Sequence, residues 1–195
     1  MEGRALDQSP YKPSARLLDF TRVMRRSGRV WTGVDRVELA YIEALIEDDV
    51  PVWGLARTPL GYVLLDRAGL AEFYRRLTGS AGHAPLDILS RLQRGMHPQA
   101  RAALSDARSL CVARCLPRRL AGMLRRKLPS GTAYHNIGHS NLSTRVLLAV
   151  RALPDARISV FVHDVIPLEY PHFQRAGTVG LFEQKMQRAR RFADL

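Results

Sequence analysis

Two apolar rhythms alternate along this chain, one of strand length and one at helical spacing. Residues 16–21, Arg-Leu-Leu-Asp-Phe-Thr, form a short apolar run suited to a buried strand. The basic stretch 22–33 that follows contains turn residues and reads as a loop. Over 34–46, Val37, Ala40, Tyr41, Ala44 and Leu45 recur at helical spacing, and Thr32 with Asp35 three positions on forms a capping-box-like start. Residues 51–57 and 61–66 predict a hairpin or two neighbouring strands, and 67–77 predicts a helix. Glycines and prolines punctuate 79–99, leaving a turn or two of helix around 86–93. Helical patterning returns over 99–128, broken at Pro117. The last third has the clearest rhythm: a strand near 132–136, a helical segment over 143–153, an apolar run at 158–162 and a helix from about 179 to 193.

Strand, loop, helix in repetition predicts an α/β fold with a mainly parallel, Rossmann-like sheet and flanking helices, its strands near 16–20, 52–56, 132–136 and 158–162. Apolar strands such as 158–162 are expected to be covered on both faces. Residues 1–15, polar and carrying Pro10 and Pro13, read as a flexible leader, and 16–195 as one domain with a basic helical insertion near 79–128. No apolar run reaches bilayer length and the N-terminus has no apolar core of a signal peptide, so a cytoplasmic location is expected.

Charge adds a partner class. With 30 basic against 18 acidic residues the net charge is +12, which favours an anionic partner. All but three of the basic residues are arginine, an imbalance that genomic base composition can produce, so nucleic acid is not the expected partner. The densest charge lies at 101–127, with seven arginines and Lys127 against Asp106. Cys111 and Cys115 stand four apart, side by side if the segment is helical; a lone pair cannot complete a tetrahedral zinc site, and two buried thiols is the plainer reading.

Three polar clusters fall where strands are expected to end, the place where ligands bind in parallel sheets. The first, from Gly28 to Thr32 and Gly33, lacks the spacing of a dinucleotide or Walker loop and is either a plain strand-to-helix connection with a capped helix or a place where backbone N–H groups meet a phosphate. The second, 134–141, crowds His135, Asn136, His139, Ser140 and Asn141 around Gly138 and is either an exposed turn or a lined pocket. The third ends a wholly apolar strand in His163-Asp164, a pair able to hydrogen-bond a ligand or move a proton, or else a histidine that merely caps the strand. No nucleophile elbow or zinc-protease motif is present.

Taken together, Arg16-Leu-Leu-Asp-Phe-Thr-Arg22, Thr32-Gly-Val-Asp-Arg-Val-Glu38, Asn136-Ile-Gly-His-Ser-Asn-Leu142 and Val162-His-Asp-Val-Ile-Pro-Leu-Glu-Tyr-Pro171 resemble the N-terminal half of bacterial family-4 glycosyltransferases of the GT-B fold. The resemblance spans about 16–195, with little from 79–128. It implies a retaining, metal-independent, cofactor-free hexosyl transfer from a nucleotide-sugar to a carbohydrate or lipid-linked acceptor in surface polysaccharide or glycolipid synthesis. It implies that Gly28, Thr32 and Gly33 approach the donor phosphates, that His163 faces the transferred sugar with Asp164 fixing the turn or the imidazole, and that His139, Ser140 and Asn141 line the acceptor side. In the family a second, C-terminal domain holds the donor. The resemblance places that domain outside this sequence, so the 195 residues alone are expected to transfer no sugar. It also gives 101–127, where Leu104, Leu110, Leu116, Leu120 and Leu124 interleave with the arginines, two readings, a solvated helical face or peripheral contact with anionic membrane at its inner face. The competing reading is a non-catalytic basic adaptor for nucleic acid or anionic membrane, which would need those arginines on one continuous face.

Overall fold

The computed structural model describes residues 12–93, 95–175 and 177–194. Strand β1 (Ala15–Asp19) leads through α1 (Thr21–Arg26) and α2 (Gly33–Glu47) to β2 (Val52–Thr58), its parallel neighbour. A hairpin containing Pro59 then turns the chain into antiparallel β3 (Gly61–Leu65). Helices α3 (Arg67–Leu77), α4 (Ile88–Leu92) and α5 (Pro98–Ser109) precede β4 (Ala113–Cys115), which pairs antiparallel with β3. A 3-10 turn and α6 (Leu120–Lys127) lead to β5 (Thr132–Asn136), α7 (Thr144–Arg151) and β6 (Arg157–Val160). The described chain closes with α8 (Ile166–Glu169), a second 3-10 turn and α9 (Thr178–Phe192). The result is an α/β fold whose six-stranded mixed sheet, mostly parallel, runs β4-β3-β2-β1-β5-β6.

Side-chain alternation along β1 explains the layering. Leu17 faces one core, with Leu120 and Leu124 of α6, Val146 and Val150 of α7, and Phe192 of α9. Leu18 faces the other, with Val23 of α1, Ile42 of α2, Phe73 of α3 and Leu104 of α5. A central strand buried on both faces is apolar at its middle, as Leu17 and Leu18 are here, with Arg16 and Asp19 toward its two ends. Each such leucine removed from water contributes on the order of 2 kcal/mol. Local signals agree with the tertiary layout: Thr32 and Asp35 form the reciprocal capping box of α2, and Asp66 and Ser143 cap α3 and α7.

Several expectations need correction. The stretch after β1 is not all loop, because Thr21–Arg26 is helical; its one and a half turns are too short to show a period, and Val23 and Met24 hold it by packing into the core. Helical patterning does not run unbroken to Pro117, since Ala113–Cys115 is an edge strand. Cys111 and Cys115 are therefore not neighbours on a helix, and both are free, half-buried thiols. Within the 79–128 stretch, Ala103 and Leu104 join one core, and Leu120, Met123 and Leu124 the other. Those leucines point inward on two opposite layers, so 101–127 presents no single leucine stripe. Strand β6 stops at Val160 and forms a sheet edge, leaving Phe161 and Val162 exposed instead of covered on both faces. The leader falls mostly outside the described residues, and Ala15 already belongs to β1. Among the described residues no helix is long and apolar enough to cross a membrane.

Candidate functional site

Parallel β1, β5 and β6 lie side by side, so the segments that follow them meet at one edge of the sheet. At the end of β1, Asp19 is buried and accepts hydrogen bonds from the Thr21 N–H at 3.1 Å, the Asn141 Nδ2 at 2.7 Å and the Tyr134 hydroxyl at 3.4 Å. Burial pushes its pKa up to about 6, against the pull of these donors toward the charged form. Asn136, ending β5, donates to the Tyr134 hydroxyl and to the Ser140 carbonyl, each at 3.0 Å. A polar floor thus underlies the loop after β5.

That loop is held in an uncommon shape. His139 and Asn141 both have left-handed backbones, with φ of 52° and 61°, a conformation that costs a non-glycine residue about 1 kcal/mol or more. Asn141 is fixed by its bond to Asp19, and His139 Nε2 lies 2.5 Å from the Phe161 carbonyl after β6. The complementary bond runs the other way: His163, in the segment after β6, places Nε2 2.8 Å from the Ile137 carbonyl. Because carbonyls only accept, both Nε2 atoms carry the proton, which leaves Nδ1 of each ring as the nitrogen that faces other partners. The two rings stand 5.7 Å apart in an edge-on arrangement. Burial, ahead of neighbouring positive charge, lowers the pKa of His139 and keeps it neutral at physiological pH.

The start of α2 reaches the same place through Arg22. Its Nε donates to Asp35 Oδ1 at 2.7 Å and its Nη2 to Thr32 Oγ1 at 3.3 Å, while its aliphatic stem lies against Gly138. Any side chain at Gly138 would strike that stem and the Glu38 carboxylate, so only glycine allows this approach. Glu38 is fully buried; burial, then the charge of Asp19, raises its pKa, and neither carboxylate oxygen has a well-formed hydrogen bond among the described residues. Oδ1 of Asn136 and of Asn141 are likewise buried without a donor there. Lys185 of α9 stands at this edge, half-buried, its pKa lowered by burial and then by the charges of Arg22 and Arg188.

No protein-family model, characterised protein or solved structure matches the chain. Its chemistry therefore has to be argued from the placement of its own residues. His139 and His163 come together, with Ser140 and Asn141 beside them and Thr32 joined to them through Arg22. Gly33, exposed, opens α2 on this side. Asp164 does not bond the His163 ring; its Oδ1 accepts from the Ile166 N–H at 3.2 Å and shapes the turn into α8. Gly28, with φ of 83°, parts from this group, facing His97 and Gln99 and lining an open groove of about 650 Å³ with Trp31 and Thr78. Among the described residues no three metal-ligating side chains converge. Asp19, Arg22, Glu38 and Lys185 were not assigned roles by the motifs. Asp19 and Arg22 do flank the end of the first apolar run, the one signal that could have flagged them.

Beside the histidines the surface is apolar. Phe161, Val162, Val165, Ile166, Tyr170 and Phe173 are all exposed, an expanse that ordinarily marks a face closed by something else.

Proposed function

We propose that this chain is the acceptor-side domain of a GT-B-type glycosyltransferase that moves a hexose from a nucleotide-sugar to a carbohydrate or lipid-linked acceptor. The observation that carries the reading is the reciprocal pair of bonds His139 to Phe161 and His163 to Ile137, which draws two imidazoles to the carboxyl edge of a parallel sheet. Their free Nδ1 atoms suit sugar hydroxyl donors, and the tautomer is fixed by the carbonyl each ring already holds. Lys185 and the guanidinium of Arg22 offer positive charge to a diphosphate leaving group without a metal. Thr32 and Gly33 stand on the donor-phosphate side of this arrangement, although Asp35 already fills the cap of α2 and weakens its pull on a second anion. Ser140 and Asn141 stand on the acceptor side. The exposed apolar expanse around Phe161 and Ile166 fits a cleft whose opposite wall is a second nucleotide-binding unit. The four sequence phrases that resemble family-4 glycosyltransferases meet at this edge.

Sugar contact at His163 is the claim to test. Saturation-transfer NMR with a panel of uridine- and guanosine-diphosphate sugars is expected to give transfer from the protein to the hexose ring protons of at least one donor. His163→Ala is expected to weaken that binding about tenfold, with thermal stability retained, and Asp164→Asn to leave it nearly unchanged. Absence of hexose contact for every donor at millimolar concentration, or equal binding by His163→Ala, would overturn the reading.

A further inference from the structure

Far from the histidines, at the opposite margin of the sheet, the chain carries a second built cleft. It wraps the edge strand β4, with a volume of about 430 Å³, the size range of small-molecule sites. Its lining includes the exposed apolar side chains of Leu60, Leu89 and Leu116 and the guanidinium groups of four arginines. Arg108 is already held by Asp87 and Ser90, at 2.5 to 2.6 Å. Arg114, Arg119 and Arg126 are different: all three are exposed, and among the described residues none of their guanidiniums has a hydrogen bond or an ion pair. No carboxylate among the described residues lines the cleft.

We infer that this cleft binds an organic phosphate, a monoester head carried on an apolar body. Three guanidiniums sharing one cleft repel one another, and a doubly charged anion removes that repulsion while taking several of their N–H groups in paired hydrogen bonds. Leu60 and Leu116, 55% and 62% exposed, give the apolar body a surface to cover. Inorganic phosphate lacks the second feature and an alcohol lacks the first. The three arginines come from β4, the 3-10 turn after it and α6, so folding brings these members of the basic 101–127 stretch to one cleft. The head can belong to a free ester or to a lipid; the chemistry recognised is the same. This inference is independent of the transferase reading, which concerns the other edge.

Cys115 lines the same cleft and supplies a reporter. In a Cys111→Ser background, its alkylation by iodoacetamide is followed by mass spectrometry. Monomeric hexyl phosphate is expected to slow alkylation roughly fivefold once most sites are filled, whereas hexanol and inorganic phosphate change it little. Arg114→Gln/Arg119→Gln/Arg126→Gln is expected to abolish protection, and the single Arg119→Gln variant, in an exposed turn, to weaken it should the triple variant not fold. His163→Ala is expected to keep it. Protection by phosphatidylcholine vesicles containing phosphatidic acid, but not by hexyl phosphate, supports the same site with a lipid as the source. Protection by neither, equal protection by hexanol, or protection that survives loss of the arginines would overturn the inference.

Discussion

Asp19 and His135 titrate in opposite senses over one pH interval, and the sheet edge supplies the cause of both shifts. Burial raises Asp19 from 3.8 to about 6, and burial, followed by the charge of Arg16, lowers His135 from 6.5 to about 4. Between about pH 4 and 6 the folded chain keeps a proton on Asp19 that the unfolded chain has released, so this group makes stability fall as pH rises. Over about pH 4 to 6.5 the unfolded chain holds a proton on His135 that the folded chain has lost, so this group makes stability rise with pH. Glu38, raised, leans with Asp19; His139, lowered, leans with His135. Urea unfolding at pH 4.5 and 6.5 is expected to show Asp19→Asn tilting toward greater stability at the higher pH and His135→Asn tilting the other way, each by on the order of 2 kcal/mol relative to the parent. Parallel profiles for the two variants would contradict these assignments.

The start of α2 shows what a sequence pattern reveals about an element and what it omits. Thr32 and Asp35 announced the capping box, and the structure forms it. The pattern could not reveal that Asp35 is fully buried and also receives Arg22 and Arg26 of α1 at 2.7 Å each, because that pairing depends on how the two helices meet. Two variants separate the roles. Thr32→Ala is expected to cost about 1 kcal/mol, the value of a cap, and Asp35→Ala about 3 kcal/mol or more, because two guanidiniums lose their shared carboxylate. Chemical denaturation of both checks this; equal losses would reduce Asp35 to a cap alone. The same distinction explains the rest of the fold. Strands β1, β2, β3 and β5 and helices α2, α3, α7 and α9 are long or periodic enough to read directly. Helix α1 and strand β4 are not, since six and three residues carry too little pattern. The exposure of Phe161 and Val162 has no sequence signal, because an exposed apolar face and a buried one have the same composition.

At the scale of the whole molecule, the site was legible as far as topology could carry it. A mainly parallel sheet brings the segments after β1, β5 and β6 to one edge, and His139 and His163, 24 positions apart, do meet there. Gly28 shared a loop with Gly33 in sequence but faces another groove, because its left-handed turn redirects the chain. Glu38 and Lys185 left no local signal, each lying within an amphipathic helix. The basic stretch divides too: α5 and α6 cover opposite layers, and Arg108, Arg114, Arg119 and Arg126 come together at the β4 cleft. The proposal that the carboxyl edge contacts the sugar and phosphates of a donor held mainly by a second unit is checked by titrating an isotope-labelled chain with the donors and following every backbone amide by NMR. Shifts are expected to concentrate at 22, 32–34, 137–142 and 161–164, with Lys185 joining them. Shifts confined to the Gly28 groove or to the β4 cleft, or none anywhere at saturating donor, would contradict it.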